Sequence, residues 1–281
     1  ERLVNKAELA HGVPLLLDDR VALWLHETSG FPPAEDPLGF IGEHPLMAQL
    51  RSEIRKVAEL SVAVHVRGET GSGKELVARA IHALSRRGSA PCVAENVATL
   101  QVSTAASALF GHVRGAFTGA DRDHTGLFRD ANRGTLFLDE IGEIPGDVQA
   151  MLLRTLESGE VRPLGARSGQ HVDVRLITAT DADLEEFVAA GRLREALYHR
   201  LVGYRINVPP LRDRREDIPR LLAHFLRQGL REIGAEARFE PDTPAEEPWL
   251  PPELVVALRT AWPPVPSPSA AAAPKHDAAL G

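Results

Sequence analysis

Two short stretches of this chain carry residues that could do phosphate chemistry. Gly68-Glu69-Thr70-Gly71-Ser72-Gly73-Lys74 fits the spacing G-x-x-x-x-G-K. Glycines there let main-chain amides turn inward around phosphate oxygens, and Lys74 can reach the β- and γ-phosphates of a nucleotide. Further on, Thr135-Leu136-Phe137-Leu138-Asp139-Glu140 is an apolar run that ends in two acids. An acid pair at a strand end is ordinarily solvated turn chemistry. Coupled to the glycine loop it suits hydrolysis of ATP, with Asp139 holding Mg²⁺ through its waters and Glu140 orienting and deprotonating the attacking water. The general loop closes with Ser or Thr on the metal. Here Glu75 stands in that place, which leaves Thr70 or water ligands to complete the Mg²⁺ shell.

These groups need a scaffold that delivers them to one edge. Val62-Ala63-Val64-His65-Val66 leads into the glycine loop as a strand, and Leu76, Val77 and Ile81 follow it in a helix whose N-terminus favours negative charge. From 41 to 210 short β-rich runs alternate with helical stretches, the pattern of a mostly parallel sheet covered by helices. The runs predict strands at Ser61 to Arg67, Pro91 to Glu95, Thr135 to Asp139, Val174 to Thr180 and Tyr204 to Val208. Helices are expected at about 44 to 59, 73 to 86, 146 to 158 and 182 to 201. In the third, Val148, Leu152 and Leu156 recur every fourth residue and set one apolar stripe against the sheet.

Beyond Pro209-Pro210 the pattern is helical alone. Ile218, Leu221, Leu222 and Phe225 follow i, i+3, i+4, i+7 spacing, with Asp217 as the start signal. Turn signals at Ser29-Gly30 and Pro32-Pro33 set residues 1 to 40 apart as a remnant or linker, in which Leu3-Val4-Asn5, Leu9 to Gly12 and Arg20 to Leu25 resemble the closing strands of a forkhead-associated domain, and the Pro/Ala-rich 263 to 281 read as a disordered tail. Four segments are therefore expected: 1–40, an α/β core over 41–210, a partial helical lid over 211–262, and the tail.

Composition narrows the class. At 281 residues the chain exceeds one typical domain, and 43% hydrophobic residues suit a globular protein. A net charge of -7 and a pI near 5.9 argue against a globally basic nucleic-acid binder, and no DNA-reading module is visible. The single cysteine, Cys92, excludes an intrachain disulfide and reads as a small buried apolar residue. No apolar run reaches the length of about 18 residues that spans a bilayer, and the first residues lack a signal-peptide pattern, so a cytoplasmic location is expected.

Between the two phosphate-chemistry stretches lies Gly115-Ala116-Phe117-Thr118-Gly119-Ala120. Two glycines and two alanines around one phenylalanine gather little apolar area, so a mobile loop presenting Phe117 and Thr118 is expected rather than a core segment. The hexapeptide resembles the GAFTGA signature of the bacterial sigma-54-dependent transcription activators, a branch of the AAA+ ATPases. Glu75 after Lys74 is similar to that branch too. The resemblance implies a three-layer αβα P-loop domain with a mostly parallel sheet, followed by a small α-helical lid. It also implies that the hexapeptide touches sigma-54, that ATP and Mg²⁺ are the cofactors, and that the partner is sigma-54 RNA polymerase holoenzyme.

Further positions carry the resemblance across about 40 to 230. Val93-Ala94-Glu95-Asn96 is similar to the family segment in which Asn restrains the catalytic Glu, which makes Asn96 a candidate switch. Thr180-Asp181 resembles the sensor I position, where the usual residue is Asn; an acid there repels the γ-phosphate unless neutralised. Leu193-Arg194-Glu195-Ala196-Leu197-Tyr198-His199-Arg200 resembles the segment that lends arginine fingers to a neighbouring subunit. Arg194 and Arg200 then act in trans, and a ring oligomer, a hexamer by family likeness, follows.

Two features depart from the family. Ala108 stands where Glu is usual near the base of the loop. Trp262-Pro263 begins like the lid motif but continues into Pro264, Pro266 and Pro268, which no helix accommodates, so the sensor II arginine is expected to be missing. The expected function is ATP-driven remodelling of sigma-54 holoenzyme that permits promoter opening. The alternatives are an ATP-binding regulatory protein without productive hydrolysis, and a P-loop ATPase acting on another protein.

Overall fold

The computed structural model describes residues 13–17, 21–25 and 38–232. The chain divides into two compact units, one up to Leu221 and one from Leu222 onward. Near the start, β1 (Val13–Leu17) and β2 (Val21–Leu25) form an antiparallel pair. The body of the first unit runs α1 (Pro45–Ala58), β3 (Val64–Arg67), α2 (Lys74–Leu84), β4 (Cys92–Asn96), α3 (Val102–Phe110), α4 (Leu127–Asp130), β5 (Thr135–Asp139) and α5 (Gly146–Ser158). It continues through β6 (Glu160–Val161), β7 (Gln170–His171), β8 (Arg175–Thr180), α6 (Leu184–Ala189), α7 (Glu195–Leu201) and β9 (Tyr204–Asn207); the last helix among the described residues, α8 (Ile218–Glu232), starts in the first unit and runs past Leu221 into the second.

Five strands lie in the order β4-β5-β8-β3-β9, every pair parallel. Alternation along each strand supplies the two apolar faces of a three-layer αβα sandwich. Leu136 and Leu138 of β5 join a cluster with Phe110, Phe128, Val148, Leu152 and Leu197, whereas Phe137 joins Met47, Leu50, Ile54, Val64, Val77 and Ile81. Leu176 and Ile177 of β8 divide in the same way. Leu152 is fully buried in the first cluster, and truncating such a leucine to alanine costs about 2–5 kcal/mol.

Several buried polar groups are paired. Arg175, 4% exposed, donates from Nη1 to Ala58 O at 2.9 Å and from Nη2 to Val57 O at 2.6 Å, closing carbonyls at the end of α1. His65 and Thr178, neighbours across β3 and β8, meet at 3.0 Å inside the sheet. Burial, then Arg205 and Arg67, lowers the His65 pKa to about 4, so the imidazole is neutral.

Several expectations are corrected. The helix expected over 182 to 201 is two helices, α6 and α7, because Gly191 takes φ 69° after α6. Gly191 N donates to Val188 O and Arg192 N to Phe187 O, the paired bonds of a left-handed helix stop. Asp217 does precede α8, but its carboxylate accepts from Glu43 N at 2.8 Å and His44 N at 3.3 Å, not from α8. Cys92, expected to be buried, is exposed because β4 is an edge strand. The expected tail at 263–281 and the missing sensor II arginine lie outside the described residues, as does most of the expected lid.

Candidate active site

Parallel strands put their C-terminal ends on one side, and the register decides which residues meet there. Arg67 pairs with Thr180, and Asn96 with Asp139. The loop after β3 and the acids after β5 therefore emerge together, at the edge where α/β sheets bind ligands. Gly71 and Gly73 adopt φ 77° and 102°, conformations that a side chain would strain, and Gly73 is the N-cap of α2. Gly68 N donates to Thr180 O at 3.2 Å, tying the loop to β8.

Lys74 is only 6% exposed. Its Nζ donates to Gly68 O at 3.0 Å and lies 3.4 Å from Glu140 Oε1. Thr180 Oγ1 donates to Glu140 Oε2 at 3.2 Å, so both carboxylate oxygens are engaged. Glu140 holds φ 50°, a left-handed conformation that costs a residue with a side chain about 1–2 kcal/mol. Its own N–H donates to Asp139 Oδ1 at 2.9 Å, which steadies the bend that turns Glu140 toward Lys74.

The site fits a nucleotide triphosphate. Ser72 Oγ is buried in the loop against Gly68 with no protein partner, a donor left over within the loop. A buried lysine at a helix N-terminus offers the positive field. For the metal, Glu75 is withdrawn: its carboxylate pairs with Arg79 at 2.6 Å. Among the described residues no group of three potential metal ligands exists, so Asp139 with water and phosphate oxygens is the donor set available to Mg²⁺. Thr70 Oγ1 donates to Asp181 Oδ2 at 3.1 Å, and Glu69 is ion-paired with Arg212, so both flank the loop.

Asn96 is adjacent to Asp139, but its side-chain oxygen accepts from Ala98 N at 2.9 Å, capping the turn Val97–Thr99. The restraint on Glu140 comes from Thr180 and Lys74 instead. Arg194 is the exposed N-cap of α7, and Arg200 is exposed on the same helix, 3.9 Å from Glu157. No contact of either with Glu140 is found among the described residues.

The hexapeptide 115–120 is a closed turn rather than a slack loop. Gly115 N donates to Ala120 O at 2.8 Å and Ala120 N to Phe117 O at 3.0 Å. Gly115 and Gly119 take φ 80° and 96°, with open space around both. Phe117 is 42% exposed, and its ring meets His112 edge-on at 5.0 Å. Thr118 is exposed and Ala116 half-buried. Leu164, in the loop between β6 and β7, accepts from Val113 N at 3.1 Å and donates to Gly111 O at 2.9 Å. A groove of about 540 Å³ lies away from the phosphate loop, between α5 and residues 160–167.

Comparison with known proteins agrees with this geometry. The family model described as the sigma-54 interaction domain matches residues 40–207. The DNA-binding transcriptional regulator NtrC of Escherichia coli K12 is 44% identical over 260 residues, covering 89% of this chain and 53% of that protein. The transcriptional regulatory protein ZraR of Salmonella typhimurium LT2 is 52% identical over 190 residues, 68% of this chain and 43% of that protein. The crystal structure of NtrX from Brucella abortus in complex with ATP superposes with a TM-score of 0.65 at 37% identity, covering 69% of this chain and 42% of that one. The chain thus spans about half the length of the curated relatives it matches.

Proposed function

The chain belongs to the sigma-54 interaction domain family, with an AAA+ αβα domain, and from that premise we propose that it hydrolyses ATP to remodel sigma-54 RNA polymerase holoenzyme and permit promoter opening. The observation that carries the reading is the convergence on Glu140: Lys74 of the phosphate loop at one oxygen and Thr180 of β8 at the other. ATP entering the loop takes Lys74 as a phosphate partner and frees one carboxylate oxygen to accept a proton from water. Thr180 keeps the other oxygen oriented.

Mg²⁺, which would neutralise phosphate charge, would be held by Asp139 through water. Asn96, in register with Asp139, is the proposed switch that relays nucleotide state toward the hexapeptide, and Thr180 with Asp181 senses the phosphate. Gly115, Ala116, Phe117, Thr118, Gly119 and Ala120 form the proposed contact with sigma-54. Arg194 and Arg200 complete a neighbour's site in a ring, a hexamer on the family pattern, working in the cytoplasm.

The test separates motor from grip. E140Q is expected to retain ATP binding and lose turnover by about 100-fold or more. T118A is expected to keep its ATPase yet lose binding to sigma-54 in a trapped nucleotide state. Turnover that does not depend on Glu140 rejects the hydrolytic mechanism, and unchanged sigma-54 binding in T118A rejects the proposed contact.

A further inference from the structure

Gln149, in the first turn of α5, is 3% exposed, yet both N–H groups and the oxygen of its amide are hydrogen-bonded. Nε2 donates to Arg192 O at 2.8 Å and to Ile144 O at 3.3 Å, while Oε1 accepts from Arg194 N at 3.0 Å. Two carbonyls on one side and an N–H on the other fix the orientation of the amide, since the flipped form would set donor against donor. These partners belong to two separate segments. Ile144 closes the turn Ile141–Glu143 that directly follows Glu140. Arg192 and Arg194 belong to the break between α6 and α7 that Gly191 creates. A buried amide shared between two loops fixes their separation, because moving either one leaves polar groups unpaired in a dry interior.

The geometry points to Gln149 as the positioning residue that holds the Arg194 backbone in register with Glu140 of its own subunit. This rests on the reading above, in which Arg194 serves a neighbour. Each subunit then carries Glu140 for its own nucleotide and Arg194 for the next one, with Gln149 as the strut between them. A shift of the turn after Glu140 moves Ile144 O, and through Gln149 it moves the N-cap of α7. The state of one site is thereby conveyed to the finger that completes another.

The experiment uses the full chain in mixed assemblies. Q149M keeps the side-chain length and removes the amide; Q149E keeps the acceptor for Arg194 N and removes the donors. Each alone is expected to lose about tenfold or more in kcat with little change in KM, within the loss of about 100-fold that a misplacement of about 1 Å can bring. Mixed in equal amounts with E140Q, a Q149M subunit still has its own acid and receives an intact finger, so turnover per Q149M subunit is expected to recover severalfold. R194A mixed with E140Q should recover likewise, whereas R194A mixed with Q149M should not, since neither supplies a finger. If E140Q rescues R194A but neither Gln149 variant, whether or not they fold, the proposal is overturned. If R194A itself is not rescued, the trans reading of Arg194 fails first and the strut fails with it.

Discussion

Thr180 Oγ1 and Glu140 Oε2 are joined by a 3.2 Å hydrogen bond, so a strand-end hydroxyl orients the carboxylate proposed as general base. The same oxygen accepts from Ala182 N at 3.2 Å, so the hydroxyl is fixed from the other side. Valine at 180 keeps the β-branched shape and removes both bonds. A hydrogen bond to a charged group contributes about 1.5–3 kcal/mol, so T180V is expected to lower kcat about 10- to 100-fold. ATP affinity should change little, because Lys74 and the loop remain. Steady-state kinetics with parallel ATP titration checks this, and an equal loss of affinity would show that Thr180 serves binding instead.

Asp181 brings a carboxylate to the phosphate side of the site, bonded to Thr70 and, among the described residues, to no cation. Asparagine keeps the acceptor for Thr70 and removes the charge. Both residues are exposed, and two unit charges near 4 Å in water interact by only about 1 kcal/mol, so D181N is expected to bind ATP about fivefold more tightly. The gain should shrink as salt rises, since exposed charges are screened. A gain that ignores ionic strength counts against an electrostatic cause.

The His65 and Thr178 pair predicts an acid limb in stability. The unfolded imidazole titrates near 6.5 and the folded one near 4, so folding stability from this group is complete above about pH 6.5. As pH falls below that value the unfolded chain takes the proton first, and stability drops by up to about 1.4 kcal/mol per pH unit until pH 4. Its full contribution is about 3 kcal/mol. His82, lowered by burial and then by Arg175, adds to the same limb. Denaturant unfolding of H65N between pH 7 and 4.5 should give a shallower slope than the unsubstituted chain.

Gly191 stops α6 at φ 69°, and a Cβ built there would meet nothing within 4 Å. The cost of G191A is therefore conformational alone, about 1 kcal/mol, read from the melting midpoint. Gly142 makes the contrast: a Cβ there would lie 3.0 Å from the Phe187 ring, next to Thr180. G142A is expected to destabilise more than G191A and to depress kcat as well.

The strand β5 was legible as a short unbroken apolar run ending in acids, and the helix α5 because its apolar residues recur at every fourth position. Lys74, Asp139 and Glu140 were legible because glycine spacing and a terminal acid pair are local signals. The break before Arg194 was legible in principle at Gly191, but the apolar residues on either side continue a helical rhythm that masks it. The short strands β6 and β7, two residues each, carry too little pattern to announce themselves. The bonds from Asp217 to Glu43 and His44 cross more than 170 positions, and Gln149 reads as an ordinary helix residue until its three main-chain partners are assembled around it.

The two bonds that Leu164 makes to Gly111 and Val113 give the hexapeptide a second leg. A single strand of chain pushed from its base buckles; a pair braced across its width bears load like a truss. Gly165, at φ 74°, packs its Cα against Ala116 so tightly that an added Cβ would come within 2.9 Å of the alanine methyl. The loop that carries Phe117 is therefore tied down on two sides, at its base after α3 and by the turn between β6 and β7.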